Sequence, residues 1–315
     1  MLLTIVSPVF NEEHGIGEFL RELDKVALVL LNRNVTMEVI LVNDGSTDKT
    51  LEKISEFHGL FKLKTLHLSR NFGHQSAVWA GIEKAKAESW IIVMDSDLQD
   101  PPIQIIPILE VFLNGTDVVF MKRRSRQDGF WKVFFAKRYY AFQALLTGNL
   151  TYSNIGDFYG LSPRAKSSLL LHTEKVKYIR GIVAQLGFNQ TILEYDREKR
   201  VAGKTHYTIA KMFSLAVAGV TGFSIRPLFW VGYAALIGAA IAVVSAAYVL
   251  VLKIVDGPSL QPGWAFLSLS LLLLSALQLM GLASIALYVG RIVQEVKNRP
   301  IYIEQEFRNE GNGDS

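Results

Sequence analysis

The sequence contains no cysteine, which excludes disulfides, thiolate metal sites and a cysteine nucleophile, and suits a reducing compartment. It also lacks a phosphate-loop lysine motif, and Gly15-x-Gly17 is followed by Leu20 where a dinucleotide fingerprint needs its third glycine. Charge is absent from two long stretches, Leu228 to Leu252 and Trp264 to Gly290. At about 25 and about 27 residues, each is long enough to cross a hydrocarbon core of roughly 30 Å. Both lie toward the C-terminus, and the chain enters a strand at once, so neither reads as a signal peptide.

What is present before those stretches is a regular alternation. Leu2 to Val6 reads as a buried strand running into Pro8-Val9-Phe10-Asn11-Glu12. A helix follows, because Ile16, Phe19, Leu20, Leu23, Val26 and Leu30 recur at intervals of three and four. A second strand, Met37 to Val42, leads into Asn43-Asp44-Gly45-Ser46-Thr47-Asp48, where Gly45 permits a tight turn and Ser46 or Thr47 is expected to cap the next helix. The pattern continues with a strand near 63–68, a helix near 74–87, a strand at 90–94, a helix near 103–113 and a strand at 117–121. Alternation of this kind predicts an α/β fold with a mostly parallel, doubly wound sheet and helices on both faces. Ligands of such sheets bind beyond the carboxyl ends of the strands, where all the polar motifs fall.

The most informative of those motifs is Asp95-Ser96-Asp97-Leu98-Gln99-Asp100-Pro101-Pro102, which follows the apolar run Ile91 to Met94. Strand alternation is ending there, so Asp95 and Asp97 can turn toward one Mg²⁺ or Mn²⁺, with Gln99 adding a neutral oxygen. Pro101-Pro102 is expected to start the next helix. Together the motifs indicate a nucleotide site built from carboxylates and a metal.

These three motifs, in this order and at these spacings, resemble glycosyltransferase family 2, most closely the polyisoprenyl-phosphate glycosyltransferases that include dolichyl-phosphate mannose synthases and bactoprenol glucosyltransferases. The resemblance extends over nearly the whole chain. It implies a GT-A fold, a nucleotide-sugar donor, a divalent metal and inverting transfer onto a lipid phosphate. On this reading Pro8, Phe10, Asn11, Glu12, Asp44, Asp95 and Ser96 bind the donor, and Asp97, Gln99 and Asp95 hold the metal. Asp157, in Asn154-Ile155-Gly156-Asp157-Phe158-Tyr159-Gly160, resembles the family's acid near the acceptor, with Tyr159 where an arginine is common. A phosphate monoester is already largely ionised at neutral pH, so Asp157 is expected to orient the acceptor and take a residual proton.

Two basic segments are candidates to receive a lipid phosphate. Lys122-Arg123-Arg124-Ser125-Arg126 precedes an aromatic, cationic stretch containing Phe130, Trp131, Phe134 and Phe135, expected as an interfacial helix at about 130–147. Arg197-x-x-Arg200-Val201-Ala202-Gly203-Lys204-Thr205-His206-Tyr207 resembles the family's basic segment before the membrane, with Thr205-His206 in place of Ser-Lys. The acceptor phosphate is assigned to Arg123, Arg126, Arg200 and Lys204. A nucleic-acid partner is not expected, since net charge is only +4 and no stacking sheet follows the aromatics.

The predicted organisation is a cytoplasmic catalytic domain over 1–200, a juxtamembrane segment over 201–226, a two-helix transmembrane hairpin within 227–291 and a cytoplasmic tail over 292–315, disordered after Arg308. Arg200, Lys204, Lys211 and Arg226 precede the first span, and Arg291, Lys297 and Arg299 follow the second. That bias puts both termini in the cytoplasm. Small residues in Ala234-x-x-x-Gly238-x-x-x-Ala242 form a stripe that suits either a homo-oligomer contact or packing on the second span. The expected activity is metal-dependent transfer of a hexose, glucose first, from UDP-glucose to undecaprenyl phosphate in the cell membrane. The alternatives are a GDP-mannose-dependent mannosyltransferase and a non-catalytic nucleotide-sugar binding subunit.

Overall fold

A computed structural model describes residues 1–124, 155–175, 177–196 and 263–310, with single positions between 231 and 251. In chain order the first elements are β1 (Leu2–Val9), α1 (Ile16–Leu31), β2 (Thr36–Asn43), α2 (Thr50–Ser55), β3 (Lys62–Leu68), α3 (His74–Lys84), β4 (Trp90–Val93), α4 (Ile105–Leu113) and β5 (Val118–Arg123). Then come β6 (Ile155–Leu161), short helices at Pro163–Leu170 and Ile179–Gln185, β7 (Gln190–Tyr195), a long helix at Trp264–Val296 and β8 (Glu304–Glu310).

The strands form one sheet in the order β7-β5-β6-β4-β1-β2-β3-β8. β4, β1, β2 and β3 run parallel, as the alternation predicts. The whole is a mixed α/β sheet of the GT-A kind, because β6 lies antiparallel between β4 and β5, and β8 lies antiparallel on β3. Residues predicted to line the inner face of α1 are buried there: Ile16, Phe19, Leu20, Leu23, Val26 and Leu30. They pack with Ile105, Ile108 and Leu109 of α4 against Ile5, Val39, Ile92 and Val119 of the sheet. Each such side chain contributes roughly 1.5–3 kcal/mol on burial.

Three expectations change. Ser46 and Thr47 do not cap α2, whose first residue is Thr50; they bond instead to the loop after β1. Pro102 starts a short 3₁₀ turn, Pro102–Gln104, before α4 begins. The tail is ordered beyond Arg308, since β8 continues to Glu310; the residues after it lie outside those described.

The chain divides into two compact units, one of residues 1–138, 150–206 and 299–315, the other of 139–149 and 207–298. The C-terminal end therefore belongs to the catalytic unit, where Ser69 donates its amide to the Ile303 carbonyl (2.9 Å) and Tyr302 donates its hydroxyl to Glu83 (3.0 Å). In the second unit the helix Trp264–Val296 is 33 residues long. Among the described residues no helix is long and apolar enough to cross a membrane; several side chains of this helix, and most of 228–252, lie outside those described. A Cβ added at Gly238 would lie 3.2 Å from Leu277 Cδ1, so the small-residue stripe faces this chain's own long helix at that point.

Candidate active site

Because β1, β2, β3 and β4 are parallel, their carboxyl ends deliver four loops to one edge of the sheet. The loops after β1 and β2 are bonded to each other. The Asn11 amide donates to Ser46 Oγ (3.0 Å), Asn11 Oδ1 accepts from the Thr47 amide (2.8 Å), and the Glu12 amide donates to Thr50 Oγ1 (2.9 Å). Asn11 takes a left-handed conformation to do this, with φ +55. Phe10 is 45% exposed at this edge, and the Pro8 carbonyl accepts from Ser96 Oγ (3.2 Å), joining the end of β1 to the loop after β4.

Asp44 is buried, and each of its carboxylate oxygens accepts a backbone amide: Oδ1 from Phe72 (2.7 Å) and Oδ2 from Gly73 (2.9 Å). Burial pushes its carboxyl above the usual range, against the pull of those two amides. A carboxylate offers about four acceptor positions, so two remain for a ligand donor. Gly45 makes this approach possible. Its φ is +74, and a Cβ there would lie 2.7 Å from both Arg70 C and Asn71 N.

In the loop after β4, Asp97 Oδ1 accepts from the Gln99 amide (3.1 Å), and Leu98 between them has φ +58. A left-handed conformation at a bulky residue costs about 1–3 kcal/mol, strain of a kind that collects at functional sites. Asp95 keeps 29% of its side chain exposed, yet the surrounding protein strips enough water to push its carboxyl up to about 6. His74 pulls it down, and the Asp157, Asp97 and Asp100 carboxylates push it further up.

Asp157 reaches this place because β6 is antiparallel to β4. The pairs Ile91↔Leu161 and Val93↔Tyr159, continued by one more step along each strand's same face, bring Asp157 level with Asp95. His74, the first residue of α3, stands between them, with Nδ1 3.8 Å from Asp95 Oδ1 and Nε2 3.6 Å from Asp157 Oδ2. Gln75 donates to Asp157 Oδ1 (3.4 Å) and accepts from the Ile179 amide (3.1 Å). Tyr159, which stands where the family commonly has an arginine, is buried against Phe120.

No group of three His, Asp or Glu side chains among the described residues could by itself hold a metal ion. Mg²⁺ does not need one: it commonly takes one or two protein carboxylates and completes its octahedron with substrate phosphates and water. Asp95 and Asp97 fit that requirement, since a cation would offset the carboxylate crowding at Asp95.

Of the four cations assigned to the acceptor, Arg126, Arg200 and Lys204 lie outside the described residues. Arg123 is described, at the end of β5, with its side chain 21% exposed and within 3.6 Å of Asp100. Sequence reasoning missed His74, Gln75, Asp100 and Tyr195 as site residues. The signal for the first two was Gly73-His74-Gln75 just past the end of β3, at the same sheet edge as the recognised motifs.

The sequence profile of the family described as Glycosyl transferase family 2 matches residues 4–170. An uncharacterized glycosyltransferase of Synechocystis is 36% identical over 309 residues, covering 97% of this chain and 95% of that protein. The bactoprenol glucosyl transferase of Shigella phage SfII is 34% identical over 306 residues, covering 96% and 97%. A prophage bactoprenol glucosyl transferase homolog of Escherichia coli is 33% identical over 309 residues, covering 96% and 98%. Among solved structures, S. aureus TarS 1–349 in complex with UDP-GlcNAc has a TM-score of 0.47 at 16% identity, over 70% of this chain and 66% of that one.

Proposed function

The chain belongs to glycosyl transferase family 2, and from that premise we propose that it moves a hexose, glucose first, from UDP-glucose to undecaprenyl phosphate at the cytoplasmic face of the cell membrane. The observation that carries the reading is the meeting of two acid groups from different strands, the Asp95–Gln99 loop after β4 and Asp157 on β6. The first set is assigned to the donor and the second to the acceptor. The choice of glucose and of bactoprenol follows the names of relatives alike over nearly their full length.

The uracil and ribose are assigned to Pro8, Phe10, Asn11, Glu12 and Asp44, and the diphosphate to the loop carrying Asp95, Ser96 and Asp97. Asp95, Asp97 and Gln99 would hold Mg²⁺ or Mn²⁺, which offsets charge building on the departing diphosphate. An oxygen of the acceptor phosphate attacks the anomeric carbon from the face opposite the leaving group. The new C1–O bond forms as the C1–O bond to UDP breaks, UDP leaves with the electron pair, and configuration inverts. Asp157, held by Gln75, orients the acceptor and takes a residual proton when the phosphate arrives singly protonated. Arg123, Arg126, Arg200 and Lys204 clamp the acceptor phosphate.

The membrane part of the reading rests on the uncharged run Trp264–Gly290, which is helical throughout and exposes Leu267, Leu271, Leu279, Leu282, Ile285 and Leu287. At 1.5 Å per residue such a run spans about 40 Å, more than a hydrocarbon core. Such a run, together with the uncharged run of 228–252 in the sequence, would keep the enzyme where its lipid substrate is dissolved. UDP release by the purified protein tests the proposal: it should require both Mg²⁺ or Mn²⁺ and a polyprenyl phosphate. Release unchanged by EDTA and by the lipid would reject it.

A further inference from the structure

Arg123, Asp100 and Tyr195 come from three parts of the chain and meet under the site. Arg123 ends β5, Tyr195 ends the neighbouring strand β7 in register with it, and Asp100 follows the Asp95–Gln99 loop. The Arg123 Nε donates to the Tyr195 hydroxyl (3.3 Å), the Tyr195 hydroxyl donates to Asp100 Oδ1, and Arg123 Nη2 lies 3.6 Å from Asp100 Oδ2. Asp100 is 0% exposed and Tyr195 2%, and among the described residues the buried carboxylate meets the guanidinium of Arg123 and the hydroxyl of Tyr195. A buried charge left without such partners would be costly, and removing one partner disturbs the others.

The fourth member of the cluster is a gap. A Cβ at Gly156, the residue before Asp157, would lie 3.0 Å from Arg123 Nη2 and 3.4 Å from Cζ. The guanidinium therefore lies directly against the backbone that carries Asp157, and an added Cβ at Gly156 would displace its fork by a few tenths of an ångström. Its remaining exposure of 21% is that of a side chain held on one side and reachable on the other. Both the loop bearing Asp95 and Asp97 and the strand bearing Asp157 thus touch one arginine.

We propose that Asp100 and Tyr195 are positioning residues for the acceptor: they fix the fork of Arg123 so that it meets the incoming phosphate already oriented, with Gly156 providing the clearance. This rests on the acceptor role given to Arg123 above. Planar, two-pronged recognition of phosphate depends on the orientation of the fork and not on charge alone. A guanidinium free to rotate would have to be ordered on each binding event, which costs affinity.

The test measures dissociation constants of undecaprenyl phosphate in detergent micelles with Mg²⁺ and UDP present, alongside those of UDP alone, for Tyr195→Phe, Gly156→Ala, Arg123→Ala and the double variant Arg123→Ala/Tyr195→Phe. Tyr195→Phe removes one hydroxyl and leaves the ring packed on Phe158, so an unchanged melting temperature separates it from misfolding. Tyr195→Phe and Gly156→Ala are each expected to weaken phosphate binding about tenfold, the size of one charge-assisted hydrogen bond. UDP affinity should stay within about twofold, a factor worth less than one such bond. In the Arg123→Ala background, Tyr195→Phe should add nothing. An equal loss in both backgrounds overturns the positioning role while leaving the acceptor role of Arg123 standing. Unchanged lipid phosphate affinity in Arg123→Ala removes that acceptor role, and the positioning role with it. Undecaprenol, which lacks the phosphate, should bind all variants alike; a parallel loss there would show a packing defect and overturn the proposal.

Discussion

A single added methyl group at Gly45 should disturb the donor side more than most side-chain truncations around it. The residue sits at φ +74 with Arg70 and Asn71 backbone at 2.7 Å from any Cβ, so both conformation and space forbid the change. Gly45→Ala should lower stability by about 1–3 kcal/mol and weaken UDP binding, measured by denaturant unfolding and by calorimetry. The two acid groups should separate in kinetics. Asp97→Ala should lose transfer and its dependence on added metal, whereas Asp157→Ala should still bind UDP and lose transfer alone. Collapse of donor affinity in Asp157→Ala with transfer surviving would reverse that assignment. Asp95 and Asp97 stood out in the sequence because they follow an apolar strand, and Asp157 because its segment resembles the family's; the structure brings Asp95 and Asp157 to either side of His74. His74, Gln75, Asp100 and Tyr195 did not stand out, since their contacts exist only in the folded chain: Asp100 and Tyr195 are 95 residues apart in sequence, and Gln75 and Asp157 are 82.

Among the elements, α1 was legible from its period, as the burial of Ile16, Phe19, Leu20 and Leu23 shows, and the parallel strands from their apolar runs between helices. The antiparallel placement of β6 was not, because nothing local in Ile155–Leu161 states which strands it pairs with or in which direction. β8 was missed for a different reason: Glu304–Glu310 alternates polar residues on both faces and has little apolar signal. Its pairing with β3 is nonetheless extensive, and Lys64 and Lys84 both lie over the Phe307 ring, at 5.8 and 5.5 Å. It covers what would otherwise be an open sheet edge. Truncation after Pro300 should expose that edge, speed amide exchange over residues 64–69 and weaken UDP binding several-fold, since Ser69 begins the loop that donates to Asp44. Exchange unchanged by the truncation would show that β8 does not hold β3.

For the whole molecule, the sequence pattern pointed to a catalytic unit followed by two apolar helices, and the return of the C-terminal end to the catalytic unit was not anticipated. The proximity of Gly238 to Leu277 favours packing of the small-residue stripe within one chain. Gly238→Leu should therefore lower thermal stability in detergent without changing the mass of the solubilised particle; a change of mass would place the stripe between copies. The central claim, sugar transfer to a lipid phosphate, is tested most directly by supplying the purified protein with labelled UDP-glucose, UDP-galactose, UDP-GlcNAc and GDP-mannose, each with undecaprenyl phosphate or with undecaprenol. The account predicts one lipid-linked hexose, from UDP-glucose, formed only with the phosphate and lost in Asp157→Ala. Label released to water alone, or transferred equally to undecaprenol, would contradict it.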